Sequence, residues 1–154
     1  MYRLYGWSWE ERDVVFQKYG EDIFWNSIPY PDAIDVLAHL SNKHTISFIT
    51  ARTEPFRDIT IKWLDRFSIH YQHIAFVENK LEACQQLEVD LLIDDAPHYA
   101  EEFATSSKPY ILYDQPYNRH VNHELVYRAA SWLEIKNYID NYESSLSHGR
   151  NTPS

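Results

Sequence analysis

Short apolar segments that alternate with helical segments constrain the fold of this 154-residue chain more than any other feature. Strands are predicted at residues 45–50, 73–77, 90–94 and 109–114. Apolar residues with a helical spacing predict helices at residues 53–67, 80–87, 98–106 and 131–142. Strands joined through helices pair in parallel, and strands as apolar as DLLID are covered on both faces. The sequence therefore predicts an α/β fold, a parallel sheet with helices on both faces.

The two ends of the chain have different patterns. Residues 8–27 have a helical pattern that starts with a serine–glutamate capping box, and Gly20 is expected to break this helix in two. A loop with two prolines follows, and Asp32 is expected to cap a further helix. Residues 144–154 are polar, so we predict a disordered tail there.

Glycine is scarce in this chain. Three glycines are present, where average usage predicts about ten. A dinucleotide-binding turn, a P-loop and a Gly-x-Ser-x-Gly elbow each need glycines close together, and these three are far apart. Rossmann dehydrogenases, P-loop enzymes and ordinary α/β-hydrolases are therefore excluded.

Charge, cysteine content and hydropathy limit the partners and the location. The net charge is −9 and no basic block is present, which argues against nucleic acid as a partner. The single cysteine, Cys84, leaves no intrachain disulfide and no cysteine-based zinc site, and we expect a buried thiol. No apolar run reaches the roughly 18 residues that a membrane span needs, and the first residues lack a secretory signal. We therefore expect a cytoplasmic protein with no membrane partner.

Residues with a role in phosphoryl chemistry follow the predicted strands. Thr50 ends the first of these strands, Lys80 follows the second, and the pair Asp94 and Asp95 ends the third. Because the carboxyl ends of parallel strands meet at one rim of the sheet, we expect these side chains to lie close together. Carboxylates are ligands that Mg²⁺ prefers, a lysine neutralises a phosphoryl group, and a threonine hydroxyl donates to phosphoryl oxygens.

Each of these residues also has an ordinary structural interpretation. Thr50 alone is typical of a strand end, Lys80 alone is typical of a solvated surface, and Asp94 with Asp95 could cap the following helix. A nearby arginine, Arg52, could contact a substrate phosphate or form a salt bridge with the glutamate two residues later. The ordered combination at three successive strand ends favours a functional role over these alternatives.

This ordered combination resembles the second, third and fourth motifs of the haloacid dehalogenase (HAD) superfamily of phosphatases. ISFIT contains Thr50, ENKLEAC contains Lys80, and LLIDD contains Asp94 and Asp95. The segments FITAR, WLDRFSIHYQHI and PYILYDQPYN are similar to bacterial nucleotidases related to 5′(3′)-deoxyribonucleotidases. The resemblance covers about residues 5–140.

The resemblance implies a Mg²⁺-dependent phosphomonoesterase that acts on a small phosphorylated substrate, expected to be a nucleotide. It implies catalytic roles for Thr50 and Lys80. It implies substrate contacts from Thr50, Arg52 and Lys80. In the same family pattern, Asp94 and Asp95 would hold the Mg²⁺ ion.

One departure from the family pattern concerns activity. Family members begin with a strand that ends in D-x-D, whose first aspartate is the nucleophile and whose second is the general acid and base. This sequence contains no D-x-D. The resemblance therefore implies a helical cap remnant at residues 1–30 and a HAD-like core at residues 31–143 that lacks its first central strand. Two hypotheses stay open: a phosphomonoesterase whose nucleophile segment is absent from this chain, or a non-catalytic protein that binds a phosphorylated ligand or a partner chain.

The missing strand would lie in the centre of the sheet, between the strands that contain DLLID and SFIT. Without it, backbone donors and acceptors of both strands lose their partners, which costs about 1–3 kcal/mol for each buried group. Unpaired strand edges are templates for association. We therefore expect the isolated chain to self-associate, as a homodimer or as an aggregate.

The absence of D-x-D predicts that this chain does not hydrolyse phosphomonoesters. We expect no turnover of p-nitrophenyl phosphate or deoxynucleoside monophosphates in the presence of Mg²⁺, because the reacting carboxylate is absent. Release of inorganic phosphate measures this. Turnover that the wild-type chain retains and Asp94→Asn abolishes would show that another nucleophile exists.

Overall fold

The computed structural model describes residues 19–151, and it describes side chains as far as residue 142. The helices are α1 (19–25), α2 (Ala33–Ser41), α3 (Arg57–Arg66), α4 (Lys80–Gln86), α5 (Pro97–Thr105) and α6 (Trp132–Asn151). The strands are β1 (Ser47–Thr50), β2 (His73–Phe76), β3 (Leu92–Asp94), β4 (Tyr110–Tyr113) and β5 (Val126–Ala129). Two 3₁₀ turns lie at Glu54–Phe56 and Pro116–Asn118. This order of elements confirms the α/β fold expected from the sequence.

The strands form two parallel sheets. β1 pairs with β2, and β3, β4 and β5 pair in that order. Between residues 19 and 151 no hydrogen-bonded ladder joins β1 to β3. The resemblance predicts a missing central strand between these two strands. Ile49 of β1 packs against the core cluster that contains Leu92 of β3, so apolar contacts connect the two sheets.

Strand β5 was not predicted from the sequence. Its four residues read VYRA, which lacks the continuous apolar run of the other strands. β5 lies at the edge of the larger sheet, where Tyr127 is 37 % exposed, and an edge strand tolerates polar and exposed residues. Hydrogen bonding to β4 makes this segment a strand, and the local sequence does not reveal that partner.

The sequence predicts that Gly20 breaks the first helix, and the structure describes this helix from residue 19 onward. Gly20 lies within α1 and is buried. A Cβ atom at this position would lie 2.5 Å from Cε1 of Phe56. The close approach of α1 to the ring of Phe56 leaves no room for a side chain at this position, which explains the glycine. The predicted capping box and the residues before 19 lie outside the described part of the chain.

Asp32 is the N-cap residue of α2, as the sequence predicts, but its side chain does not act as the cap. Asp32 has φ of 66°, and its side chain makes no capping hydrogen bond. The Asp32 carbonyl oxygen instead accepts a hydrogen bond from the Val36 N–H at 2.9 Å. Aspartate is one of the few residues that tolerate this left-handed conformation, which explains its presence in the turn.

Helix α6 is longer than predicted. It continues to Asn151, so residues 144–151 are helical where we expected a disordered tail. The polar residues of this segment favoured a prediction of disorder. A helix that packs at its amino-terminal half can, however, extend into polar sequence. Although α6 has 20 residues, no helix between residues 19 and 151 is both long and apolar enough to cross a membrane.

Strand β4 carries the centre of the core. Tyr110, Ile111 and Leu112 are each at most 1 % exposed. Successive side chains of a strand point to opposite faces of the sheet. Tyr110 and Leu112 accordingly pack with Phe103 of α5, whereas Ile111 packs with Ile135 of α6. The larger sheet is therefore covered by helices on both faces.

We predict that Ile111→Ala lowers the free energy of unfolding by about 2–5 kcal/mol, because it creates a cavity at a fully buried position. Ile28→Ala is the matched control, since Ile28 is 89 % exposed, and its effect should stay within about 0.5 kcal/mol. Urea denaturation measures both. Equal effects of the two substitutions would contradict this assignment of the core.

Candidate active site

The predicted residues lie at or just beyond the carboxyl ends of the strands, which we call the rim. Thr50 is the last residue of β1, Lys80 is the first residue of α4, and Asp94 is the last residue of β3. Asp95 follows directly in the loop that leads into α5. The residues thus come from both sides of the break between the two sheets.

Lys80 and Asp94 form an ion pair at this rim. The Lys80 Nζ atom lies 2.9 Å from Asp94 Oδ2, and the two side chains are only 11 % and 16 % exposed. The start of α4 is fixed by Asn79, whose side chain accepts a hydrogen bond from the Glu82 N–H at 3.0 Å. Lys80 also lies over the ring of Tyr99, with Nζ 4.9 Å from the ring centre. Lys80 is therefore held by its helix, an aromatic ring and a carboxylate.

Asp95 has a different partner from its neighbour. The Tyr117 hydroxyl donates a hydrogen bond to Asp95 Oδ2. Burial raises the pKa of Asp95, the bond from Tyr117 acts in the opposite direction, and the adjacent Asp94 charge raises it again. Burial and the Asp95 carboxylate also raise the pKa of Tyr117, so this hydroxyl keeps its proton at neutral pH. The two adjacent carboxylates are thus stabilised by separate donors.

Arg52 lies two residues beyond Thr50 and is partly buried. Its backbone N–H donates to Thr50 Oγ1 at 3.2 Å, and its Nη1 donates to Thr60 Oγ1 at 3.0 Å. Its guanidinium carbon lies 3.9 Å from the ring centre of Phe24 in α1. Burial lowers the pKa of Arg52, and no carboxylate acts on it in the part of the chain described above.

The alternative of an Arg52–Glu54 salt bridge is not observed. Glu54 instead pairs with Arg57, whose Nη2 lies 2.6 Å from Glu54 Oε1. Among residues 19–142, the Arg52 guanidinium thus contacts a hydroxyl and an aromatic ring and has no carboxylate partner.

Asp94 and Asp95 are the residues that could hold a metal ion here. Among residues 19–142 no group of three or more His, Cys, Asp or Glu side chains is arranged to hold a metal ion. Mg²⁺ is usually bound through one or two carboxylates, with waters and phosphate oxygens as its other ligands. The donor set of two adjacent carboxylates therefore fits Mg²⁺.

Sequence reasoning missed three residues beside this rim: Tyr117 and Asn118 in a 3₁₀ turn, and Arg128 in β5. Asn118 Nδ2 donates to the Asp95 carbonyl oxygen at 3.0 Å, and Arg128 Nη1 donates to Asn118 Oδ1 at 2.8 Å. The available signal was the segment PYILYDQPYN, which places Tyr117 and Asn118 just beyond a strand end. Cys84, in contrast, is buried as expected, and burial raises its pKa to about 11.

A parallel α/β fold with threonine, lysine and an acidic pair at successive strand ends defines a HAD-like protein. The chain belongs to the 5′ nucleotidase, deoxy (pyrimidine), cytosolic type C protein (NT5C) family, whose model matches residues 3–143. This match confirms the resemblance found in the sequence.

Individual relatives agree with the family match. A Bacillus subtilis (strain 168) protein named "Putative nucleotidase YqfW" is 30% identical over 143 residues, which cover 91% of this chain and 71% of the relative. A Halalkalibacterium halodurans protein named "Putative nucleotidase BH1399" is 30% identical over 140 residues, with 88% and 68% covered. A Clostridium acetobutylicum protein named "Nucleotidase CA_C3379" is 26% identical over 133 residues, with 85% and 69% covered.

We predict that Lys80→Met lowers the free energy of unfolding by about 2 kcal/mol or more, because it leaves the Asp94 carboxylate without its partner in a mostly buried position. Lys136→Met is the matched control. Lys136 pairs with Asp140 at 3.4 Å, but both side chains are about one-third exposed, so the loss should stay below about 1 kcal/mol. Chemical denaturation at neutral pH compares them. A Lys80→Met protein as stable as the control would show that the pair is solvated.

Proposed function

We propose that this rim is the phosphate and Mg²⁺ site of a nucleotidase, and that it binds a small phosphorylated substrate, most simply a nucleoside monophosphate. The observation that carries the proposal is the buried contact between Lys80 and Asp94, 14 residues apart in sequence, at the carboxyl ends of the strands. Membership in a 5′ nucleotidase family supports the same chemistry.

The proposed roles follow from the chemistry of each side chain. Lys80 neutralises charge on the phosphoryl group, and the Thr50 hydroxyl donates to a phosphoryl oxygen. The Arg52 guanidinium contributes a second positive charge, which is already partly desolvated and therefore acts strongly on an anion. Asp94 and Asp95 hold Mg²⁺, which neutralises phosphate charge when bound.

Phosphate binding and phosphate-ester hydrolysis require different residues. In the family, an aspartate of the D-x-D motif attacks the phosphorus atom, and the printed sequence contains no such motif. We therefore propose that the residues of this chain supply phosphate and metal binding, and that hydrolysis requires an additional carboxylate. Under this proposal, residues 1–30 belong to the cap remnant and residues 31–143 to the HAD-like core.

A non-catalytic binding protein is the second candidate function. The absence of D-x-D favours it, because the phosphate-binding residues Thr50, Arg52 and Lys80 are present without the family's nucleophile. In this case the rim binds a phosphorylated ligand, or the edges beside the break bind a partner chain such as a second copy. The turnover assay described above separates this candidate from an active hydrolase.

The proposal predicts that Arg52→Gln weakens binding of thymidine 5′-monophosphate by at least about tenfold, because it removes a charge-assisted contact to the phosphate. Isothermal titration calorimetry in MgCl₂ measures the dissociation constant. Thymidine, which lacks the phosphate, should bind much more weakly than the monophosphate to the wild-type chain.

Arg66→Gln is the matched control for this experiment. Arg66 is the last residue of α3, six positions after Thr60, the residue that Arg52 contacts. Its Nη1 donates to the Trp25 carbonyl oxygen at 3.1 Å. This substitution removes the same charge without changing the rim. If Arg52→Gln and Arg66→Gln weaken monophosphate binding equally, the loss reflects net charge and not a contact from Arg52. Equal affinities for thymidine and its monophosphate would overturn the proposed phosphate site.

A further inference from the structure

We propose that Tyr117 and Asn118, in the turn Pro116–Asn118, are positioning residues for Asp95, and that Arg128 holds this turn in place. The inference rests on the proposed function in one respect, since it takes Asp95 as a ligand of Mg²⁺. These three residues lie outside the motifs that contain Thr50, Lys80 and the acidic pair.

The Asn118 side chain binds three backbone groups and one side chain at the rim. Its side chain is 0 % exposed. Its Nδ2 donates to the carbonyl oxygens of Asp95 at 3.0 Å and Tyr113 at 2.7 Å. Its Oδ1 accepts from the Gln115 N–H at 3.1 Å and from Arg128 Nη1 at 2.8 Å. A side-chain amide has two N–H donors and an oxygen that accepts two bonds, so the hydrogen-bonding capacity of Asn118 is fully used.

Arg128 holds the turn from the neighbouring strand. Its Nη2 donates to the carbonyl oxygens of Asn118 and Val121, both at 2.9 Å. Its Nη1 also donates to Asp114 Oδ1 at 2.8 Å, so its charge has a carboxylate partner. Because its donors are directed to the turn and its charge is compensated, Arg128 stabilises the turn rather than binding a substrate anion.

Tyr117 acts directly on the Asp95 carboxylate. Its hydroxyl donates to Asp95 Oδ2, while the Asn118 amide holds the Asp95 carbonyl oxygen. The same residue is therefore held at its backbone and at its side chain by consecutive residues of one turn. Asp94 Oδ2 accepts from Lys80 in the same way. Each carboxylate then has one oxygen oriented by a donor, and its second oxygen can coordinate a cation.

This arrangement has a measurable consequence for metal binding. Partners that orient a metal ligand typically contribute 10–100-fold to metal affinity or activity. Removing the Tyr117 hydroxyl should therefore weaken Mg²⁺ binding without disturbing the buried core, since Tyr117 is only partly buried. Asn118→Ala removes four hydrogen bonds from a fully buried position and is expected to impair folding, so Tyr117→Phe is the deciding variant.

The experiment compares Tyr117→Phe with Tyr71→Phe in the full chain. Tyr71 is also partly buried, but it lies just before β2, at the amino end of the strands and away from the rim. Calorimetric titration with MgCl₂ gives the dissociation constant, a thermal melt gives stability, and amide hydrogen exchange reports on the peptide that covers residues 94–98. For Tyr117→Phe we expect about tenfold weaker Mg²⁺ binding, faster exchange in that peptide and an unfolding midpoint within about 3 °C of the wild type. Tyr71→Phe should leave Mg²⁺ binding and exchange at the rim unchanged.

The outcomes separate this inference from the proposed function. If the wild-type chain binds Mg²⁺ and Tyr117→Phe changes neither the affinity nor the exchange, the positioning role is wrong and the proposed function stands. If the wild-type chain does not bind Mg²⁺, the metal role of the acidic pair is wrong. In that case hydrogen exchange tests the positioning role. Faster exchange at residues 94–98 in Tyr117→Phe, but not in Tyr71→Phe, supports positioning of Asp95. Unchanged exchange in Tyr117→Phe overturns it.

Discussion

The ion pair between Lys80 and Asp94 connects elements that the backbone ladder leaves separate. Lys80 begins the helix that follows β2, Asp94 ends β3, and no ladder joins β1 to β3 in residues 19–151. The pair is more than four-fifths buried on both sides, so each charge depends on the other to offset its desolvation. This contact and the apolar packing of Ile49 on the larger core therefore both connect the two rim halves.

Two adjacent carboxylates at a partly buried strand end repel each other, and the structure offsets that repulsion with separate donors. Lys80 serves Asp94, whereas Tyr117 serves Asp95. The surrounding turn is rigid because Asn118 is fully buried and fully hydrogen bonded. Such an arrangement costs stability, since the pKa of Asp95 stays raised by burial despite its donor. A cost of this kind is typical of residues kept for binding or catalysis.

Much of the fold could be predicted because its signals are local. The strands that contain Ile49, Ile74, Ile93 and Ile111 are short apolar runs, and each lies within two residues of its predicted bounds. The start of α4 at Lys80 and the end of β3 at Asp94 also follow from neighbouring sequence. The opposite is true of β5, whose apolar residues are interrupted by Arg128, and of Gly20, whose role depends on a ring 36 residues away.

By itself, the sequence determined the order of strands and helices and the residue types at the strand ends, because apolar periodicity and motif spacing are properties of adjacent residues. Only the tertiary structure decided which partners those residues have. Arg52 faces Thr60 and Phe24 rather than Glu54, and Asp95 is held by a turn more than 20 residues later. Such contacts join segments that are distant in sequence, so their energies depend on packing and burial that no local pattern encodes.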